Sequence, residues 1–440
     1  MRTIVKRAVL FLLLATMVIV VAACQPLPAP ATTGETAPVV DTTPQPVNLR
    51  FTVWTGSEAH LAVLNGIADG YKAINPNVSV QFDTIPFGDY ISKVTLQLAG
   101  SNPPDAGWML ETSAPTFVDS GVLADLSAVV SSPAYDYADL SAPAMGLWVK
   151  DDAVLGVPFS TSPFIIMYNR DLFEAAGVPA PDELLANGEW TWEKFAEVAQ
   201  AITEASAEGV YGYDTVDASG YTTRVWHTLV PIVRSYGGDA WDAAGTTCMM
   251  DSPEAIAAVQ LYHDMVYVGK GAVPPGEQAD FYSGAAGMTT AQISRVSKLV
   301  DATFTWGIVP LPSGPAGDAQ VIGQAAVVAF EASPNKAVAA DFVAFMTNKE
   351  STAALAQFFP PIRASVLESG AMVSANPAIA PEQMQFVVDA IKSGTVLPSH
   401  VEYPKIDLAS RAVFDTLWAP DADVAAVMTS LCEAISPFLQ

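Results

Sequence analysis

Three short groups of residues carry side chains whose types and spacing suit gripping a polar small molecule. Trp54-Thr-Gly-Ser57-Glu58 places a flat aromatic face, a hydroxyl and a carboxylate close together. Glu111-Thr112 adds another carboxylate and hydroxyl, and Ser160-Thr161-Ser162 supplies successive hydroxyls. Aromatic faces cover C–H surface, while hydroxyls and carboxylates take the hydrogen bonds of a ligand's rim. The arrangements that would turn such a group into a reaction centre do not accompany them. The chain has no Gly-x-Ser-x-Gly turn and no His-Glu-x-x-His helix, and its four histidines are too scattered for a metal site or a Cys/His pairing. Capture is indicated rather than turnover, with no cofactor. A secreted hydrolase built on a carboxylate pair is the competing class.

The elements that position these groups follow from periodicity. Leu49, Phe51 and Val53 alternate with Arg50, Thr52 and Trp54, the period of a half-buried strand. Leu61, Leu64, Ile67, Ala68, Tyr71 and Ile74 share one helical face that Asn75-Pro76-Asn77 stops. Val78, Val80 and Phe82 form a second strand, Ile91, Val94 and Leu98 a second helix, and residues 106–110 a third strand. Strand-helix-strand-helix-strand predicts a parallel sheet. Ligand groups in such sheets gather at the carboxyl ends of strands. Trp54, Ser57 and Glu58 follow the first strand, and Glu111 and Thr112 the third.

Gly156-Val-Pro-Phe-Ser-Thr-Ser-Pro163 reads as an extended crossing between two lobes, since two prolines around Ser-Thr-Ser bar a helix and ill suit a central strand. Phe164 to Met167 is a short buried strand. Similar extended passages lie near residues 322–324 and 358–361. Three crossings make both lobes discontinuous, able to open and shut about a hinge. Thr191 and Ser252-Pro253 read as helix starts, and Ser333-Pro-Asn-Lys336 as the start of a long helix through Phe342, Phe345 and Leu355.

Arg2, Lys6 and Arg7 precede an apolar run that ends in Val21-Ala22-Ala23-Cys24, the pattern of an export signal with a cysteine at the cut. Residues 25–46 are rich in Pro and Thr and read as a mobile spacer. Removing the signal leaves 17 basic against 46 acidic residues, a net charge of −29. Such a body is repelled by nucleic acid and by anionic membrane surfaces. The same charge weighs against a polyanionic ligand, although one local basic pocket would be enough for a phosphate. Of the three cysteines, Cys248 and Cys432 are left to pair or to stay free in a core, and the sequence does not decide between these.

Met167-Tyr-Asn-Arg-Asp-Leu-Phe173, Tyr71-Lys-Ala-Ile-Asn-Pro-Asn-Val78, Asn102-Pro-Pro-Asp105, Thr191-Trp-Glu193, Gly307-Ile-Val-Pro-Leu-Pro312 and Ser333-Pro-Asn-Lys336 recur in this order over residues 49–435. Together they resemble the extracellular solute-binding proteins, family 1, of sugar ABC importers, with maltodextrin-binding proteins among its members. The resemblance implies an α/β fold of the periplasmic-binding-protein-like type II, with two Rossmann-like lobes on a three-segment hinge. It divides the chain into residues 1–23 as lipoprotein signal, 24–47 as linker, 48–159 with 323–358 as one lobe, and 160–322 with 359–440 as the other.

It further implies a monomeric, non-catalytic lipoprotein, tethered outside the cytoplasm by lipid on Cys24. Such a protein would capture a sugar, or alternatively a polyol or glycerol phosphate, and pass it to ABC permease subunits. To the ligand set it adds Trp226, Gly323, Gln324 and Arg363, and it brings Tyr403, Asp407 and Arg411 to the cleft. The stretch Ala286-Gly-Met-Thr-Thr-Ala-Gln-Ile-Ser-Arg295 lacks the aromatic that members often carry there, which argues against a long maltodextrin. Plainer readings stand beside these: Trp54 and Trp226 as core, Glu58 as a first-turn helix acid, Glu111 as a solvated loop carboxylate, Arg363 as one half of a surface ion pair.

Overall fold

β1 (Val47–Val53) buries Leu49, Phe51 and Val53 completely, as the alternation requires. α1 (Glu58–Ile74) starts where the Ser57 hydroxyl accepts a long hydrogen bond from His60 N at 3.5 Å. Leu64, Ile67, Ala68 and Tyr71 face inward, while Ile74 in its last turn is exposed. β2 (Val78–Thr84), α2 (Tyr90–Ala99) and β3 (Ala106–Leu110) complete the expected unit, and β1 pairs in parallel with both neighbours. The computed structural model describes residues 45–214, 225–277, 279–375, 377 and 379–440. The signal, Cys24 and nearly all of the spacer lie outside the described residues.

β4 (Val157–Asn169) corrects the reading of the crossing. The Ser-Thr-Ser run does not stand outside the sheet but continues without a break into residues 164–169, and all of its residues are buried. The two prolines remove two N–H donors; a register shift between Ala325 and Ala326 lies opposite Pro158, while Pro163 pairs with Ile322 in regular register. β5 (Tyr211–Asp214), β6 (Ala286–Gln292), β7 (Trp306–Val309), β8 (Val321–Ala329) and β9 (Thr395–Val396) join it in a nine-stranded mixed sheet of order β2-β1-β3-β8-β4-β6-β5, with β9 beside β8 and β7 beside β4.

β4 and β8 are the two long strands that belong to both ends of this sheet. The first half of β4 runs antiparallel to β8, and its second half is antiparallel to β6 and β7. Thr161 N donates to Pro360 O at 2.8 Å, so the third extended passage lies alongside the first two. One apolar core gathers residues of the first 159 positions with residues 325–362, while two others gather residues 164–321 with the C-terminal part. Phe359 and Ile362 pack in the first of these, past the expected boundary at Phe358.

The helix expected from residue 336 to 355 is two helices, α3 (Lys336–Met346) and α4 (Lys349–Leu355). Asn348 ends the one by capping the other, its side-chain oxygen accepting from Ser351 N at 2.8 Å. The helices capped by Thr191 and Ser252 start as expected. None of the described helices is long and apolar enough to cross a membrane.

Cys248 and Cys432 are joined in a disulfide across 184 positions, with Cα atoms 5.4 Å apart. This ties the C-terminal helix Val424–Ile435 to the body and belongs to an oxidising compartment. Replacing both cysteines by alanine should lower the unfolding free energy by about 2–4 kcal/mol in a denaturant titration, because the cross-link restricts the unfolded chain. A wild-type midpoint in that variant would remove the bond from the stability account.

Candidate ligand-binding site

A cavity of about 340 Å³ opens where the carboxyl ends of β1 and β3 meet the crossing strands. Its first wall is aromatic: Trp54, Phe87, Trp108, Phe159 and Phe359. Trp108 is fully buried, stacked on Phe159 with ring centroids 4.8 Å apart and edge-on to Trp54 at 4.8 Å. Ser160, Ser162, Gly323 and Gln324 form the floor. Opposite them stand Gln292, Ser294, Arg295, Ser297 and Lys298, from the end of β6 and the tight helical segment Ile293–Leu299 that follows.

The second wall follows from a threefold repeat, Ile-Ser-Arg-Val-Ser-Lys-Leu. In a 3-10 helix residues three apart eclipse one another. Ile293, Val296 and Leu299 therefore form one row, and they are buried in the core beneath. Ser294 with Ser297, and Arg295 with Lys298, form the two remaining rows, and all four line the cavity. Lys298 also places its ammonium 4.6 Å from the Tyr282 ring centroid.

His60, on the first turn of α1, is the most informative lining residue. Its ring is buried against Phe358 and Phe359, with centroids 4.9 and 4.7 Å away. Nδ1 meets the Thr55 hydroxyl at 2.9 Å, whereas Nε2 approaches the Ser294 backbone across the cavity without a hydrogen bond of good geometry. Burial lowers the imidazole to about 4, outweighing the opposing pull of the Ser294 carbonyl, and the Arg295 charge adds a smaller push in the same downward direction. The sign follows: above pH 6.5 both folded and unfolded states hold His60 neutral, and its contribution to stability is full. As pH falls from 6.5 towards 4 the unfolded chain takes up the proton first, so about 3 kcal/mol is lost. The difference in unfolding free energy between wild type and His60→Gln, measured at pH 7 and pH 4.5, should change by that order. An unchanged difference would contradict the burial account.

Three buried polar atoms of lining residues have no hydrogen-bond partner among the described residues: His60 Nε2, Trp108 Nε1 and Ser162 Oγ. Such atoms are uncommon in native proteins, and a cavity beside them is where a ligand or water would satisfy them.

Of the residues singled out in the sequence, Trp54, Ser57, Ser160, Ser162, Gly323 and Gln324 line this cavity. Gly323 leaves room for the Gln292 side chain, whose Nε2 would lie 2.4 Å from a Cβ there and would have to turn aside. Gln324 spends its side chain elsewhere: Oε1 accepts from Trp148 Nε1 at 2.8 Å and Nε2 donates to Ala144 O at 3.0 Å. Thr161 lies on the opposite face of β4 by strand alternation.

The remaining ones stand apart from the cavity lining. Glu58 is an exposed first-turn acid of α1. Glu111 is fully buried below the floor, where its Oε2 accepts from Gln324 N at 2.9 Å, and Thr112 is buried beside it. Trp226 packs edge-on to Phe414 at 5.3 Å and Trp241 at 6.0 Å in the core. Arg363 is buried in a network of carbonyls. Tyr403 and Asp407 are half-buried on the helix Tyr403–Leu417, their proton affinities raised first by burial. Asp407 accepts from Arg411 there.

Residues missed in the sequence are Trp108 and Phe159, hidden in apolar strand runs, and His60, Gln292, Ser294, Arg295, Ser297 and Lys298. The threefold repeat was the legible signal for the last four.

Comparison with known proteins places this geometry in a family. A binding protein of Brucella abortus (strain 2308) is 25% identical over 309 residues, 66% of this chain and 70% of its own length. The ABC substrate-binding protein Lmo0181 of Listeria monocytogenes, solved with cycloalternan, superposes with a TM-score of 0.77 at 21% identity, over 90% of this chain and 99% of that one. UgpB of Mycobacterium tuberculosis, solved with glycerophosphocholine, gives 0.76 at 20% identity over the same shares. These similarities establish the expected fold, the periplasmic-binding-protein type II arrangement around a central mixed sheet. Residues 66–381 match the model of the family described as "Bacterial extracellular solute-binding protein", and the chain belongs to that family.

Proposed function

We propose that this protein is the capture component of an ABC importer, which closes on a carbohydrate in the cavity beside Ser160, Ser162 and Gly323 and delivers it to membrane permease subunits without transforming it. The observation that carries this reading is the pairing of an aromatic wall with a hydroxyl- and amide-bearing floor, at the carboxyl ends of β1 and β3, around about 340 Å³. Trp54 and Trp108 supply the flat surface for a sugar ring's C–H face, while Ser57, Ser160, Ser162 and the Gly323 backbone supply hydrogen bonds for its hydroxyls. The volume suits a small saccharide better than a long chain.

The solved relatives bound to cycloalternan and to glycerophosphocholine support solute capture by this fold. Closure would turn on the passages at residues 159–163, 322–324 and 358–361, with lobes of residues 48–159 plus 323–358 and 160–322 plus 359–440. Glu111 would act through the floor, by holding Gln324 N. A signal ending at Ala23 and a lipid on Cys24 would keep the body within reach of its permease outside the cytoplasm.

Thermal unfolding against a panel of sugars and polyols tests the reading. A true ligand at a hundredfold over its dissociation constant adds about 2.7 kcal/mol of stability. Trp54→Ala should weaken its binding about 10- to 100-fold and leave the ligand-free transition nearly in place, since Trp54 is only partly buried. Wild-type affinity in that variant would remove Trp54 from the site, and turnover of the bound glycoside would favour a hydrolase.

A further inference from the structure

Two side-chain amides stand among the described lining residues, Gln292 and Gln324, and their surroundings differ. Gln324 commits both ends of its amide to the body, Oε1 to Trp148 Nε1 and Nε2 to Ala144 O, so it braces the floor. Gln292 is half-buried at the carboxyl end of β6, and its side chain has no hydrogen-bond partner among the described residues. Its amide is also not among the polar atoms sealed away from any surface, as Ser162 Oγ is. An uncommitted, accessible amide on a cavity wall is a group that a ligand can engage.

The position of that amide follows from a missing side chain. β4 lies between β6 and β8 in the sheet. Gln292 pairs with Phe164 on one edge of β4, and Gly323 pairs with Ser162 on the other. Ser162 and Phe164 share a face of β4 by alternation. The Gln292 side chain reaches across the intervening strand, so a Cβ on Gly323 would stand 2.4 Å from its Nε2 and 3.3 Å from its Cδ. With glycine there the amide rests against the backbone of β8, and any larger residue would turn it aside. A primary amide places a carbonyl acceptor beside N–H donors, whereas a serine hydroxyl presents a single atom. Gln292 can therefore accept from one hydroxyl of a solute while it donates to the neighbouring one.

We infer that Gln292 is a specificity-determining residue of the cavity, reading two neighbouring hydroxyls of the solute, and that Gly323 is the positioning residue that leaves its amide room to do so. This rests on the reading of the cavity as the capture site, and narrows the solute to compounds that present a vicinal diol to that wall. A compound that lacks one hydroxyl of the pair leaves half of the amide unpaired in an enclosed site. Sites built to hydrogen-bond a hydroxyl discriminate strongly against analogues without it.

Isothermal titration of the purified protein with glucose, galactose, mannose, maltose and mannitol, and then with monodeoxy forms of the tightest binder, tests the inference. At least one monodeoxy form should bind wild type about tenfold or more weakly than its parent. On Gln292→Ala the parent should lose about 10- to 100-fold, and that deoxy form should bind within about threefold of the parent. The ligand-free thermal transition should stay near wild type, because the amide holds no other group in place. Gly323→Ala should weaken the parent about tenfold where Gln292 is present, and about twofold or less in the Gln292→Ala background. Gln292→Asn, whose shorter side chain does not reach Gly323, should resemble alanine and serves if Gln292→Ala fails to fold. A panel compound that binds both single variants within about twofold of wild type, or whose deoxy forms all lose as much as it does on Gln292→Ala, overturns this inference and leaves the capture reading standing. Losses that simply add in the double variant would contradict the positioning role of Gly323. Absence of binding by all five compounds overturns both readings.

Discussion

Replacing Arg363 with methionine is expected to destabilise the protein by about 3–5 kcal/mol in a denaturant titration, while leaving ligand affinity near wild type wherever the variant is folded. The guanidinium is only 1% exposed. Nε donates to Thr347 O at 2.8 Å, Nη2 to Tyr135 O at 2.9 Å, and Nη1 to Asp136 O at 3.1 Å and Asp139 Oδ2 at 3.3 Å. Thr347 sits in the break between α3 and α4, so the arginine satisfies a carbonyl that the interrupted helix leaves open. Methionine fills the volume but takes the guanidinium donor from three buried carbonyls and leaves the Asp139 carboxylate with Ser365 alone, and each carbonyl orphaned in the interior is costly. A variant with wild-type stability and lost affinity would return Arg363 to the ligand set.

Trp108→Ala should do both kinds of damage. The ring is fully buried, stacked on Phe159 and edge-on to Trp54 and Phe359, so its removal empties a large core volume and costs about 3–5 kcal/mol. It also removes part of the aromatic wall. Affinity for the solute should fall about a hundredfold or more, beyond the loss in Trp54→Ala, because Trp54 itself leans on this ring. Calorimetry below the variant's melting temperature separates the two losses. Unaltered affinity in the folded variant would mean that the aromatic wall is core and no part of the site.

The contrast between these residues shows what the sequence could and could not carry. Elements whose apolar residues repeat with period two or 3.6 were legible, so β1, α1, β2, α2 and β3 fall where periodicity puts them, and strand ends then pointed to Trp54 and Ser57. The Ser-Thr-Ser strand was not legible, since local propensity and two prolines argue against a ladder that only the long partner β8 makes favourable. Asn348 ended a helix because it could cap the following one, a choice that an apolar stripe through Leu355 conceals. Arg363 and Trp226 are residue types equally at home in a site or a core, and only packing decides between these. Trp108 was hidden for the opposite reason: an apolar run reads as core although one ring of it also borders the cavity. The two rows of Ser294 with Ser297 and Arg295 with Lys298 were written in the chain, but at a period of three that neither helix nor strand patterns seek.

The most direct measurement is a crystal structure of the protein with the solute that stabilises it most. The account predicts that solute enclosed between Trp54 and Trp108 on one side and the Ser294 to Lys298 row on the other, within hydrogen-bond reach of Ser160 or Ser162. A saturating solute found outside this cavity, with His60, Trp108 and Ser162 untouched, would contradict it.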